Sequence, residues 1–221
     1  REQWHDAAGW FERAIEWNGG EAEDPKVGEG YLVALIGLGR HDEAENLVHL
    51  WRQRNPEIAR LYLDVFGGSL LKLAATQVIP QDRLDRYGVI VGLEKSEFGA
   101  QAIAWYHYDR RNWDDAVRWF QASLGWAAPG RQDIKSIEGF AQALRSTGRR
   151  DEAEELFFAW RGQSQTLAKL YLETFSEALV SQDAPIELSD RRIDRFAHVV
   201  LNERSAAGAQ ALAWYRYNRK A

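Results

Sequence analysis

The sequence contains no cysteine, only five prolines and no apolar run that approaches the length of a membrane span. Without thiols the chain forms no disulfide, no thiolate metal site and no cysteine nucleophile. A membrane helix needs about 18 or more consecutive apolar residues, so membrane insertion of this segment is not expected. Apolar residues still make up 45% of the chain, which is ample for a folded core.

Basic runs are also missing, and the formal net charge is −5. A nucleic-acid partner is therefore not expected, because binding to a phosphate backbone requires a basic patch. No signal peptide is visible in the sequence. A piece of a longer protein would have lost its leader, so the compartment stays open between a bacterial periplasm and the cytoplasm.

Motifs that carry catalysis or hold a cofactor are not found. The five histidines show no HExxH spacing, and there is no GxGxxG loop, P-loop or GxSxG elbow. Acidic pairs such as Asp42/Glu43 and Asp151/Glu152 fall in predicted first helical turns, where carboxylates interact favourably with the helix dipole. We therefore expect no enzymatic activity, no bound cofactor and no metal site.

The sequence does contain an internal repeat. A shift of 109 residues aligns residues 1–112 with residues 110–221 without a gap, and roughly 44 of the 112 aligned pairs are identical. AWYHYDRRN at 104–112, for example, matches AWYRYNRKA at 213–221. Because the chain begins and stops inside the unit, we expect residues 1–221 to be one piece of a longer array.

Within each unit the apolar residues recur at helical spacing. Gly148 suits the left-handed turn that ends a helix, Asp151 is predicted to cap the next helix, and Glu154 is predicted to complete a capping box. The same signals recur at Gly39, Asp42 and Glu45. The pattern predicts six helices per unit in three antiparallel pairs. One full set of pairs is 97–110 with 113–126, 134–147 with 150–162, and 165–180 with 188–204.

Residues 26–56, KVGEGYLVALIGLGRHDEAENLVHLWRQRNP, resemble a tetratricopeptide repeat. That 34-residue motif combines large and small residues in its first helix, a turn glycine, alanine in its second helix and a final proline. The matching positions are Tyr31, Leu35, Gly39, Ala44 and Pro56. Residues 137–170 match through Phe140, Ala141, Leu144, Gly148, Ala153 and Phe157. Residues 97–129 also match, with Arg111 in place of the turn glycine, whereas the third pair of each unit departs from the motif.

The resemblance implies an all-α, right-handed superhelical solenoid of antiparallel helix pairs, with about two copies of a 109-residue six-helix unit. Stacked pairs of this kind form a long concave surface that holds a partner. The resemblance also sorts the ten tryptophans. Eight fall on second helices, where the resemblance implies packing between pairs or exposure on the convex side, and a structural role is expected for them. Trp105 and Trp214 instead fall on the side of a first helix that lines the groove in the family.

Helical spacing extends this groove face along the helix. Gln101, Trp105, Tyr108 and Asp109 lie at i, i+4, i+7 and i+8, so they share one stripe. Further candidate ligand-binding residues at corresponding positions are Gln210, Trp214, Tyr217, Lys135, Glu138, Gln142 and Arg145. Such a stripe can stack against and hydrogen-bond a peptide or a sugar. Alternatively, Trp105 and Tyr108 pack against the adjoining helix pair while the polar groups are merely solvated.

Three functions remain open on this sequence. The first is a noncatalytic scaffold whose concave groove binds a protein partner or peptide segment. The second is a periplasmic module of a bacterial exopolysaccharide secretion system that contacts the polysaccharide or assembly partners. The third is a helical-toroid glycosidase or lyase, against which the gapless repeat argues. Self-association through the open C-terminal helix is also expected, because residues 206–221 form a first helix without its second.

Overall fold

The computed structural model of the chain describes residues 2–19, 25–180 and 188–218. These ranges contain helices and no strand, so the predicted all-α class is confirmed. The helices fall into two compact units, residues 1–131 and 132–221. The first unit contains α1 (Glu2–Trp17), α2 (Pro25–Leu38), α3 (His41–Trp51), α4 (Pro56–Leu70), α5 (Gln81–Glu94), α6 (Glu97–Asp109) and α7 (Trp113–Trp126). The second contains α8 (Ile134–Ser146), α9 (Arg150–Trp160), α10 (Gln165–Val180), α11 (Asp190–Asn202) and α12 (Ala206–Asn218).

The helix bounds agree with the six predicted ranges to within two residues at each end. Gly39 and Gly148 follow α2 and α8 with φ values of +78° and +81°, as the predicted left-handed turns require. None of the described helices is long and apolar enough to cross a membrane.

The predicted capping boxes are wrong. α3 and α9 begin one residue before Asp42 and Asp151, and the N-cap positions of both helices hold arginines that make no side-chain cap bond. Glu45 and Glu154 do not turn back to the helix start, because arginines from α5 and α11 bind their carboxylates. Observed side-chain caps include Ser96, whose Oγ accepts a hydrogen bond from the Gly99 N–H at 3.0 Å.

In the first unit, alternate helices contact each other as well as their sequence neighbours. α2 packs on α1, α3 and α4, α4 also packs on α5 and α6, and α6 packs on α5 and α7. The core of this stack includes Tyr62, Phe66 and Tyr87, whose ring centroids lie 4.5 to 5.8 Å apart. Such packing of antiparallel helix pairs is consistent with a helical-repeat fold.

The second unit repeats several of these contacts. α10 packs on α9, α11 and α12, and α11 packs on α12. Its aromatic core contains Tyr171, Phe175 and Phe196, with ring centroids 4.5 to 6.0 Å apart. Each of these three residues lies 109 positions after its counterpart in the first unit. The two copies of the sequence repeat therefore have similar local packing at these positions.

Two glycines allow close helix contact at equivalent places. A Cβ added at Gly99 would lie 2.7 Å from Val91 Cγ2, and one added at Gly208 would lie 2.6 Å from Val200 Cγ2. Real Cβ atoms do not approach other atoms so closely, so α6 and α12 sit against their preceding helices only because no side chain intervenes.

Candidate functional site

The predicted stripe on α6 lies partly against α7. The half-buried Trp105 ring packs edge-on against Phe120, with centroids 5.0 Å apart, and against Tyr108 at 5.1 Å. Tyr108 in turn contacts the Trp113 ring at 5.2 Å. Burial, reinforced by the neighbouring Asp109, raises the pKa of Tyr108 and keeps its phenol neutral. Packing therefore accounts for a large part of both aromatic surfaces, and a binding role for the stripe stays a prediction.

The predicted stripe on α8 is tied to neighbouring residues of the second unit. Lys135 and Ser164 both donate to the buried Glu138 carboxylate, at 3.0 and 2.5 Å. Burial opposes ionisation of this carboxylate, but the two hydrogen bonds hold the pKa of Glu138 below its usual value. Arg145 donates to both oxygens of Glu177 on α10, at 3.1 Å each. Gln142, the remaining member, is half-buried.

The predicted stripe on α12 is exposed. Trp214 is 52% exposed and Tyr217 is 69% exposed, and their rings contact each other at 5.9 Å. Gln210 is also exposed. Trp214 therefore differs from its counterpart Trp105, because no ring from another described helix packs against it.

The eight tryptophans expected to serve packing are not equally buried. Trp51, Trp113, Trp119, Trp126 and Trp160 are half-buried, whereas the three on α1 are mostly exposed. Of these three, Trp10 and Trp17 are 63% and 76% exposed. Apolar rings on α1 are thus available to a ligand, although a structural role was predicted for them.

Buried carboxylates in both units are bound by arginines. Tyr62 donates to Glu45 at 2.9 Å, and Arg86 pairs with the same carboxylate. Burial, followed by the charge of Glu45, raises the pKa of Tyr62. In the second unit Glu154 pairs with both Arg192 and Arg195. These ion pairs connect α3 to α5 in the first unit and α9 to α11 in the second. The buried carboxylates of Glu45 and Glu154 therefore have a structural role.

Two surface grooves occupy equivalent places in the two units. The α4 groove has a volume of about 210 Å³ and is lined by Pro56, Arg60, Leu63, Asp64, Glu94 and Ser96. The α10 groove has a volume of about 540 Å³ and is lined by Gln165, Thr166, Ala168, Lys169, Leu172, Glu203 and Ser205. Each lies between the first half of one helix and the turn that begins the helix after next.

The two grooves share a chemical pattern. A cation, Arg60 or Lys169, lies on the helix side, and an acid, Glu94 or Glu203, lies at the turn. Leucine and serine also line both grooves at identical positions, although Leu63 is only 3% exposed. A groove with opposite charges on its two sides suits an extended peptide segment.

Sequence reasoning missed both grooves. A shift of 109 residues aligns Leu63, Glu94 and Ser96 with the same residue types at 172, 203 and 205. This identity between the two copies is the sequence signal that could have revealed the grooves. Helical spacing within one segment does not detect this identity as a site, because residues 63 and 94 lie on different helices and come together only in the folded chain.

Within the described ranges, no three histidine, aspartate or glutamate side chains are grouped so that they could hold a metal ion. No protein-family model matches the sequence, and the search of curated proteins found no match.

Proposed function

We propose that this chain is a noncatalytic helical-repeat scaffold of the tetratricopeptide type that binds an extended segment of a partner protein. In this proposal the helix pairs belong to a right-handed solenoid whose repeating unit is the 109-residue, six-helix segment. The observation that carries the proposal is the recurrence of one groove chemistry in both units. A repeated groove is what a scaffold needs in order to hold successive parts of one segment.

The experiment selects peptides and then reverses the groove charges. Randomised peptides displayed on phage are selected on the intact chain, and the enriched peptides are measured against the Arg60→Glu/Lys169→Glu double variant. Both side chains are exposed, and Arg60 makes only a 3.4 Å surface pair with Glu57, so the variant should fold. Groove binding predicts a loss of affinity of about tenfold or more.

The matched control is Lys72→Glu/Arg150→Glu, which makes the same charge change at one exposed position in each unit. Peptides that bind both double variants equally would show that net charge or another surface is responsible. Failure to enrich any peptide would count against a peptide-binding scaffold.

A second candidate function is contact with a polysaccharide, as in an exopolysaccharide secretion system. The exposed indoles of Trp10, Trp17 and Trp214 favour it, because flat aromatic faces stack on sugar rings. Retardation in a native gel that contains a soluble β-linked glucan tests it. Binding that is abolished by alanine at these three positions, in a chain that enriches no peptide, would replace the first proposal with this one.

A further inference from the structure

A separate cleft of about 380 Å³ opens in the first unit, where α5, α6 and α7 meet. The exposed Val89 and the half-buried Trp119 ring supply its apolar surface, and the buried Leu84 and Ile103 also line it. Its polar lining comes from Gln81, Asp85, His107, Asp115 and Arg118. A volume near the lower end of ligand-binding sites suits one side chain rather than a helix.

One polar group in this cleft has no hydrogen-bond partner. His107 is only 6% exposed, and its Nδ1 is buried without any partner in hydrogen-bond range. The nearest carboxylate oxygen, Asp115 Oδ2, lies 3.8 Å away, which is too far for a hydrogen bond. An unsatisfied buried nitrogen is costly in free energy, and such a group marks a place where a ligand can supply what the fold does not.

The charges around the cleft favour a cation. Asp85 from α5 and Asp115 from α7 contribute two negative charges, and Arg118 contributes one positive charge. Gln81 donates to Asp85 at 2.8 Å, and Arg118 pairs with Asp115. Burial lowers the pKa of His107, so the imidazole is neutral near pH 7. The lining therefore carries a net charge of −1.

The apolar surface adds a second requirement. One part of the Trp119 ring lies over Gly88, where an added Cβ would be 3.2 Å from the indole. The ring also lines the cleft beside Leu84 and Ile103. A ligand that fits both features has an aliphatic stem and a cationic head, which interacts with the carboxylates and the indole face.

We propose that this cleft binds a single arginine or lysine side chain presented by a partner protein. The inference rests on the proposed function, since it gives one chemical property of the partner. The acidic balance of the whole chain, −5, favours a partner with basic character for the same electrostatic reason.

The second unit supplies matched controls for the cleft. Asp194 on α11 is the counterpart of Asp85 and is likewise exposed. However, the counterpart of His107 on α12 is Arg216, so the second unit lacks the imidazole of this lining. A change at Asp194 thus removes an equivalent carboxylate without altering the cleft.

The test uses the full 221-residue chain and a blocked pentapeptide with one central arginine among glycines. A matched peptide has citrulline, the neutral isostere of arginine, at the same place. Binding is followed by NMR through the indole N–H signal of Trp119, which is assigned by its loss in Trp119→Phe. The arginine peptide should shift this signal in the millimolar range, and the citrulline peptide should not.

The variants then identify the binding groups. Asp85→Asn and Asp115→Asn should each weaken binding about fivefold to tenfold, and Asp194→Asn should leave it unchanged. Arg118→Gln should strengthen binding severalfold, because it releases Asp115 and removes a like charge. Thermal unfolding of each variant verifies that it is folded.

Equal shifts by the arginine and citrulline peptides would overturn the inference, as would equal losses in Asp85→Asn and Asp194→Asn. A neutral cello-oligosaccharide that shifts the Trp119 signal when the arginine peptide does not would assign the cleft to sugar instead. If phage-selected peptides bind the grooves but arginine does not bind the cleft, only the present inference fails. If the arginine peptide binds the cleft and no peptide binds the grooves, the groove proposal fails.

Discussion

Alanine at Gly99 should destabilise the protein even though alanine is the better helix former. In an exposed helix interior, glycine to alanine stabilises by about 0.5–1 kcal/mol. At Gly99 the new Cβ would lie 2.7 Å from Val91 Cγ2 and 3.1 Å from Ser96 Oγ. Val91 is fully buried and β-branched, so its methyl group cannot rotate away freely.

The expected net effect follows from two opposing magnitudes. Overpacking of a filled core costs about 1–3 kcal/mol, which exceeds the propensity gain. We therefore expect Gly99→Ala to lower the free energy of unfolding by about 1–2 kcal/mol. Gly208→Ala should behave in the same way, because its Cβ would lie 2.6 Å from Val200 Cγ2.

The assay is urea unfolding followed by tryptophan fluorescence. Gly9→Ala is the control, since Gly9 lies in the middle of α1 with no atom within 4 Å of an added Cβ, and it should stabilise by about 0.5–1 kcal/mol. Val91→Ala combined with Gly99→Ala should show favourable coupling of about 1 kcal/mol. If Gly99→Ala stabilises as Gly9→Ala does, the close contact of α5 and α6 is not present in solution.

Three further predictions concern aromatic packing, pH and the buried acids. Trp105→Ala should cost about 2–3 kcal/mol in urea unfolding and Trp214→Ala about 1 kcal/mol, because Trp105 packs on Phe120 of α7 whereas Trp214 is 52% exposed; equal losses would contradict this. Burial lowers the pKa of His107 in the folded state. The contribution of His107 to stability is therefore complete above its unfolded-state pKa of about 6.5, and it decreases as the pH falls from there toward the folded-state pKa. His107→Gln should reduce the loss of stability between about pH 7 and 5 in urea unfolding at each pH, and an unchanged pH profile would contradict this. Glu154→Gln should cost about 2 kcal/mol, measured by the urea midpoint, since it leaves arginines without their buried counter-charge.

The helices were predictable because their signals are local. Apolar spacing and the turn glycines at 39 and 148 lie within single segments, and the structure agrees with both. The capping prediction failed for a related reason. Glu45 and Glu154 have the residue type and spacing of a capping box, but arginines about 40 positions later compete for their carboxylates. Single-segment reasoning cannot weigh a partner that arrives only when α5 or α11 packs.

The candidate site was less predictable than the helices. Spacing correctly put Trp105 and Tyr108 on one face of α6, but their environment depends on rings that α7 supplies. The stripe on α8 likewise contains Arg145, which pairs with Glu177 on a helix 32 residues away. Periodicity identifies residues that share a face, whereas tertiary packing decides whether that face is covered.

Comparison of the two sequence copies separates the grooves from the cleft. The grooves keep leucine, glutamate and serine at identical positions in both copies, and in the first unit Glu94 also accepts a hydrogen bond from Arg52 at 2.7 Å. The cleft instead contains His107, which is replaced by Arg216 at the corresponding position of the second copy. A surface that recurs in both copies suits the backbone and repeating side chains of an extended segment, because these groups are similar from one position to the next. Under the proposed function, an unshared surface that recognises one side chain at one place would fix the register of the bound segment on this chain.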